Sequence, residues 1–285
     1  LQTVRKPTIK INLIKMKLKN TLLILATALV AAACGLGKSG TDDVPSGGIN
    51  LFSLQQDKDL GKQVAGEIAA DPAQFPVLDS ASNVAAYKYI YGMRDKILAT
   101  GKVEHKDDFV WQIRIIEDDS TLNAFCTPGG YIYVYTGIIL YLENEAQLAG
   151  VMGHEMGHAD LRHSTRQMTK IYGIEILISA ALGEREALKQ ITTGLIGLKF
   201  SREHETEADR MSVEYLCGTT WPADGGAGFF EKIEASGGGA SPEFLSTHPS
   251  PANRVENYHT WAKESNCGGT DDGITSFKRF QQLFK

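Results

Sequence analysis

The segment His154-Glu155-Met156-Gly157-His158 constrains this 285-residue chain more than any other. Residues four apart lie only about 40° apart around a helix that turns roughly 100° per residue. Both imidazoles therefore face one point, as ligands of a shared zinc ion must. Asn144 caps the helix and Gln147 follows three residues on, the pattern of a capping box. The core stripe of this helix is Leu148, Val151, Met152 and Ala159, and Glu155 projects into the same arc. A carboxylate there is costly unless it has a partner or a chemical task. Acting as general base towards water is such a task.

Two imidazoles need a third ligand. One zinc-protease pattern has Gly three residues and His six residues after the second ligand; those positions hold Leu161 and Ser164, so that form fails. His163 falls about 180° around the helix from His154, a surface residue or a support behind a ligand. The acid-dense stretch is Ser201-Arg202-Glu203-His204-Glu205-Thr206-Glu207-Ala208-Asp209. Glu205 and Asp209 share one helix face, and Glu203 and Glu207 the roughly opposite one. A ligand with an acid one turn away, accepting the free N–H of a ligand His, is a sensible pair. Spacing alone does not choose between the faces, and a solvated charge run is the plain alternative.

Taken together, these segments resemble the CAAX-prenyl-protease/HtpX-type family of zinc metallopeptidases. The likeness rests on the His154–His158 motif, on Glu205-Thr206-Glu207-Ala208-Asp209 beginning 47 residues after it, and on two further segments. Asn123-Ala124-Phe125 before Pro128-Gly129-Gly130 is similar to that family's edge strand and hairpin. Thr247-His248-Pro249 with Arg254 resembles its C-terminal motif. The likeness runs from about residue 55 to 262. It implies one Zn2+ per chain held by His154, His158 and Glu205, with Asp209 supporting from behind. It implies Glu155 as general base, and His248 and Arg254 as groups that stabilise the transition state or gate the metal. Substrate would add as a strand beside Asn123, Ala124 and Phe125. Cys126 stands where the family more often has a small apolar residue. The likeness further implies peptide hydrolysis of unfolded or misassembled envelope proteins, in a lipid-tethered bacterial branch without membrane-spanning helices. The rival readings are a zinc-bearing chaperone or binding module whose hydrolysis is latent under His248, and a zinc hydrolase of small molecules.

The rest of the chain agrees with a single catalytic body. Hydrophobic residues make up 42% and charged residues 22%, enough apolar residue for a sizeable core. No apolar run reaches the roughly 18 residues of a membrane span. The net charge is −5, and the first 33 residues carry six Lys or Arg and no acid, so the remainder is more acidic still. An acidic body without a basic stripe excludes nucleic acid as the expected partner.

Residues 1–15 read as an upstream extension. From Met16 a basic stretch, an uncharged run over 21–33 and then Cys34 after three alanines form a signal sequence similar to a bacterial lipobox. An ordinary secretory signal or an uncleaved anchor are the alternatives. The expected division is 1–33 extension and signal peptide, 34–50 lipid-tether linker and 51–285 metallopeptidase domain. The expected location is the periplasm, lipid-anchored at Cys34 in the outer membrane.

Residues 53–69 and 80–100 read as helices, the second on Val84, Tyr87, Tyr91 and Leu98. Residues 109–117, 122–126 and 131–135 read as strands, and Ser250-Pro251 as the start of the last helix. Residues 171–200 read as a packed or surface-lying helical pair. The sum is an α+β, mostly helical zincin-like domain with a small sheet beside the His154–His158 helix. Of the cysteines, Cys217 and Cys267 each follow an expected helix and precede Gly, the favoured pair if an oxidising envelope permits one bridge. Cys126 reads as a buried small hydrophobe.

Overall fold

Three short strands set the frame. In this computed structural model, residues 50–172, 174–235 and 243–285 are described; the leader and Cys34 lie outside them. The strands are β1 (Gln112–Ile116), β2 (Ala124–Thr127) and β3 (Tyr131–Tyr135). Gly129 and Gly130 adopt φ of 78° and 85°, which glycine reaches without penalty, and they close the β2–β3 hairpin. β2 pairs antiparallel with β3, Phe125 opposite Tyr133. β1 runs parallel to β3 on its other side, leaving β2 at the edge. The alternation divides the side chains cleanly. Ala124, Cys126, Ile132 and Val134 enter one apolar cluster, and Phe125, Tyr131, Tyr133 and Tyr135 the other.

Helices cover both faces. α1 (Leu54–Ala70) starts at Ser53 with a reciprocal capping box to Gln56. α2 (Val84–Ala99) begins four residues later than the sequence predicts. The cause is Asp79, whose Oδ2 accepts from the Ser82 amide at 2.8 Å and hydroxyl at 2.7 Å, fixing a turn instead. Its buried face is also displaced: Ala86, Tyr87, Ile90, Met93 and Ile97 face the core, while Val84 is 62% exposed.

α3 (Thr136–Tyr141) leads into α4 (Glu145–Asp160), the helix of the His154–His158 motif. Asn144 caps it, accepting from the Gln147 amide at 2.9 Å. The box is only half formed, because the Gln147 side chain accepts from Glu143 N–H at 2.8 Å. Every residue of α4 is buried, not one stripe alone. The sheet covers one side and α8 (Arg202–Leu216) the other. Glycines permit that second contact. A Cβ on Gly153 would sit 3.1 Å from Ser212 Oγ, and one on Gly157 3.0 Å from Met211 Cβ. Ser212 Oγ donates to Gly150 O at 2.8 Å across the same seam.

α4 does not continue to His163. Arg162 takes a left-handed φ of 58°, uncommon for a side-chain-bearing residue, and α5 (His163–Ile171) starts afresh. Arg162 is held there by Asp57 and by the Phe52 carbonyl. The helical pair follows as α6 (Ile174–Ala181) and α7 (Arg185–Ile196). Leu177, Leu188, Ile191 and Leu195 pack with Leu60, Val64 and Ile68 of α1. No helix among the described residues is long and apolar enough to cross a membrane.

The remaining helices are α9 (Ala227–Ala235), α10 (Glu243–Thr247), α11 (Arg254–Glu264) and α12 (Ile274–Gln281). Ser250-Pro251 does not open α11. Ser250 Oγ donates to the Pro251 carbonyl, and the chain turns instead at Asn253, with φ of 57°. Nor is α11 the last helix. α12 is tied to the start of α4 by Ser276 Oγ, which donates to Glu145 Oε2 at 2.6 Å. Cys217 and Cys267 form the expected disulfide, and Cys126 is a buried free thiol.

The α4–α8 seam yields a test. Gly157→Leu should force the helices apart, cost about 1–3 kcal/mol of stability by overpacking and lower bound metal. Gly66→Ala, where an added methyl meets nothing within 4 Å, should leave bound metal unchanged and raise stability by about 0.5–1 kcal/mol, the gain of alanine over glycine inside a helix. Thermal melts and metal analysis of both variants check this.

Candidate metal centre

The α4–α8 contact brings four side chains to one point. One donor atom from each of His154, His158, Glu205 and His248 lies within 4.8 Å of the others. The Nε2 atoms of His154 and His158 are 3.0 Å apart, as the i, i+4 spacing predicts. Glu205 Oε1 stands 3.3 Å from His158 Nε2, and its Oε2 3.5 Å from His154 Nε2. Glu203 is exposed, so Glu205 and Asp209 occupy the face of α8 turned to α4. Asp209 Oδ1 lies 2.8 Å from His154 Nδ1, on the ring edge away from the cluster.

The region around His248 was only partly legible in the sequence. His248 follows α10, and its Nδ1 is 3.1 Å from Glu205 Oε1 and 3.3 Å from His154 Nε2. Its Nε2 points towards Glu155 Oε1 at 3.5 Å. Arg254, expected to face developing charge, donates from Nη2 to Glu205 Oε2 at 3.0 Å and to Asp209 Oδ1 at 2.7 Å. Its guanidinium lies over the Phe230 ring at 4.0 Å.

Tyr258 was missed. Its hydroxyl donates to Asp209 Oδ1 at 3.0 Å; its place four residues after Arg254, on the same helix face, was the available signal. His163 takes the second of its two expected places, behind His158, though not by the expected geometry. The 180° estimate assumed an unbroken helix, and the turn at Arg162 swings the residue back to bury it behind His158. The stacking partners, Phe200 on His158 at 4.0 Å and Phe244 on His248 at 4.3 Å, have no sequence signature.

The donor set fits a cation. Glu155, Glu205 and Asp209 are three buried carboxylates beside one buried guanidinium, that of Arg254. Both Glu155 oxygens lack a hydrogen-bond partner, a costly state for a buried carboxylate. Burial raises the Glu155 pKa, against the pull of His248 and His154. Burial also drives His158 well below the usual imidazole range, aided by His154, and so keeps it neutral. Burial alone would raise Glu205, but His248 and His158 outweigh it and hold the carboxyl well below the usual range. A neutral imidazole and an ionised carboxylate are the forms that bind metal.

Asn123, Ala124 and Phe125 lie at the sheet edge as expected, but all three are buried. The Phe244 amide of α10 donates to the Leu122 carbonyl at 3.1 Å, beside that edge. The metal-site side chains are buried too, with His154 the most exposed at 2%.

Comparison with known proteins agrees with this geometry. The sequence pattern of Peptidase family M48 matches residues 88–262. The chain belongs to peptidase family M48. Metalloprotease YcaL of Escherichia coli K12 is 30% identical over 255 residues, covering 84% of this chain and 96% of YcaL. Mitochondrial metalloendopeptidase OMA1 of Arabidopsis thaliana is 31% identical, over 55% of this chain and 32% of that protein. The Beta-barrel assembly-enhancing protease of Escherichia coli K12 is 29% identical, over 50% of this chain and 32% of that protein. The chain thus spans about a third of the length of the latter two. The match is to the family as a whole and does not single out the HtpX-type group that the motifs resemble. Membership places the chain among metallopeptidases, and the buried His-His-Glu-His cluster suits their metal ion.

Glu205→Ala should lose bound metal, and Glu203→Ala should retain it. Metal analysis of the two purified variants decides which face of α8 meets the ion; loss in Glu203→Ala alone would reverse the assignment.

Proposed function

We propose that the chain is a zinc metalloendopeptidase of the lipid-anchored envelope branch, cleaving unfolded or misassembled envelope proteins. The observation that carries this reading is the Glu155 carboxylate, fully buried, without a hydrogen-bond partner and aimed at the side chains gathered around the metal position. His154, His158 and Glu205 would hold the ion, and nitrogen and oxygen donors of this kind suit zinc. Bound there, zinc supplies Lewis acidity to a carbonyl and to water. The remaining work falls to the chain. Glu155 takes a proton from the attacking water and returns it to the leaving amine nitrogen. Its burial raises its pKa and makes it a stronger base. Asp209 accepts the His154 Nδ1 proton, which keeps the Nε2 lone pair forward. Arg254 and Tyr258 hold Asp209 in turn. His248 Nε2, on the Glu155 side, donates to the oxyanion that develops on the scissile carbonyl.

The substrate reading rests on the β2 edge. A peptide strand added beside Asn123, Ala124 and Phe125 would be read through its backbone, which suits unfolded chains. That edge is buried and adjoins α10, so α10 has to move before a strand can enter. One relative is named for enhancing β-barrel assembly, which supports an envelope substrate and a periplasmic location at the outer membrane. The lipid anchor at Cys34 stands on the sequence alone, as does the division at residues 33 and 50.

A second reading follows from His248. Its Nδ1 lies among the metal-binding atoms, so at rest it can fill the position that water needs. The chain would then be a latent protease, or a zinc-bearing chaperone or binding module, until α10 carries His248 away.

Glu155→Gln should abolish casein digestion while zinc stays bound, since Glu155 is a base and not a ligand; digestion above a few per cent of the unaltered rate in zinc-replete protein contradicts the role. His248→Ala should lower turnover roughly 10²–10³-fold as a lost oxyanion donor. A rise in basal digestion, or self-cleavage, would instead establish the gate. Chelator should abolish, and zinc restore, activity in the unaltered chain.

A further inference from the structure

The two metal-facing histidines are backed differently. His154 Nδ1 meets a carboxylate, Asp209, at 2.8 Å. Behind His158 stands another imidazole, with His163 Nδ1 2.9 Å from His158 Nδ1. His163 Nε2 lies 3.0 Å from Glu207 Oε2. Both rings of this pair are buried. Each is also walled by a parallel ring: His158 lies on Phe200 at 4.0 Å and His163 on His204 at 4.3 Å.

Proton positions follow from the donor and acceptor roles. Two ring nitrogens at hydrogen-bond distance share one proton. His158 Nε2 faces His154 Nε2 and Glu205 Oε1, so it must offer a lone pair to an ion there. The proton of neutral His158 is then on Nδ1 and is donated to His163 Nδ1. His163 carries its own proton on Nε2 and donates it to the Glu207 carboxylate. The chain of bonds has one direction, from metal ligand to carboxylate through an intervening ring.

We propose that His163, oriented by Glu207, is the positioning residue of His158, fixing the tautomer and ring angle with which it meets the metal. The inference rests on the metal-centre reading above and adds a residue to it. The backbone supplies its reason: Arg162, in its left-handed turn, is held by Asp57 and the Phe52 carbonyl. This reversal, four residues after His158, returns His163 to the preceding helix. Outer-shell partners of metal-binding histidines set both ring orientation and ligand basicity. A neutral imidazole accepts less strongly than a carboxylate, so His154 is the more basic of the two ligands.

The test is zinc affinity of the full chain, measured by competition with a chromophoric chelator. His163→Ala should weaken zinc binding roughly 10–100-fold. His163→Asn, which keeps an acceptor near the Nδ1 position, should recover part of it. Glu207→Gln should weaken binding less, and should have no further effect once His163 is Asn. In the unaltered zinc-loaded protein, nitrogen–proton NMR correlations should show His158 protonated at Nδ1 and His163 at Nε2. That spectrum decides the matter even if a variant fails to fold. Unchanged zinc affinity in a folded His163→Ala protein, or a proton on His163 Nδ1, overturns the proposal. An unaltered chain that takes up no zinc overturns the metal-centre reading itself, and this one with it.

Discussion

The close contact of α4 with α8 is the constraint on which the rest depends. Helix α4 carries His154, His158 and Glu155, and α8 carries Glu205, which completes the cluster, and Asp209 behind it. Carboxylate and imidazole side chains are short, so the two backbones must approach closely before Glu205 can reach the His154–His158 pair. Gly153 and Gly157 provide that approach, and Ser212 bonds across it to Gly150. The cost is helix propensity, since glycine within a helix is about 1 kcal/mol worse than alanine. Burial of α4 on every side offsets this.

Packing two helices this tightly around carboxylates creates an electrostatic problem that the outer groups resolve. Arg254 serves two acids through a single nitrogen. Tyr258 adds a hydroxyl donor to Asp209, and its own pKa rises well above the usual range through burial and the Asp209 charge, so it remains a donor. Glu155 alone lacks such support. The contrast sets Glu155 apart from the acids held by Arg254 and Tyr258, as the proposed role of base requires.

Legibility in the sequence followed how local each signal was. The motif on α4, its Asn144 cap, the β2–β3 hairpin and the helical pair depend on spacing within a few residues, and all were readable. Which face of the acid-dense stretch meets the metal is a matter of helix–helix packing; only the family resemblance pointed to Glu205. Regularity assumed past a break gave the errors. His163 was projected along a helix that stops at Arg162, and the start of α11 was assigned to Ser250-Pro251 when Asn253 makes the turn. The buried face of α2 was displaced because Tyr91 and Leu98 flank the true stripe. Each depends on a left-handed residue or on distant packing, and neither has a short-range pattern.

The Cys217–Cys267 bridge lies at the ends of the two helices that surround the acids. Cys217 follows α8, and Cys267 comes shortly after α11. It closes a loop of 50 residues, for which chain-entropy arguments give about 2–4 kcal/mol of stabilisation. The bridge also ties the end of the helix bearing Glu205 and Asp209 to the chain just beyond the helix bearing Arg254 and Tyr258. Reduction would therefore release a covalent tie between the two helices whose side chains meet at Asp209. The stability of the chain would then depend on the thiol–disulfide balance of its compartment.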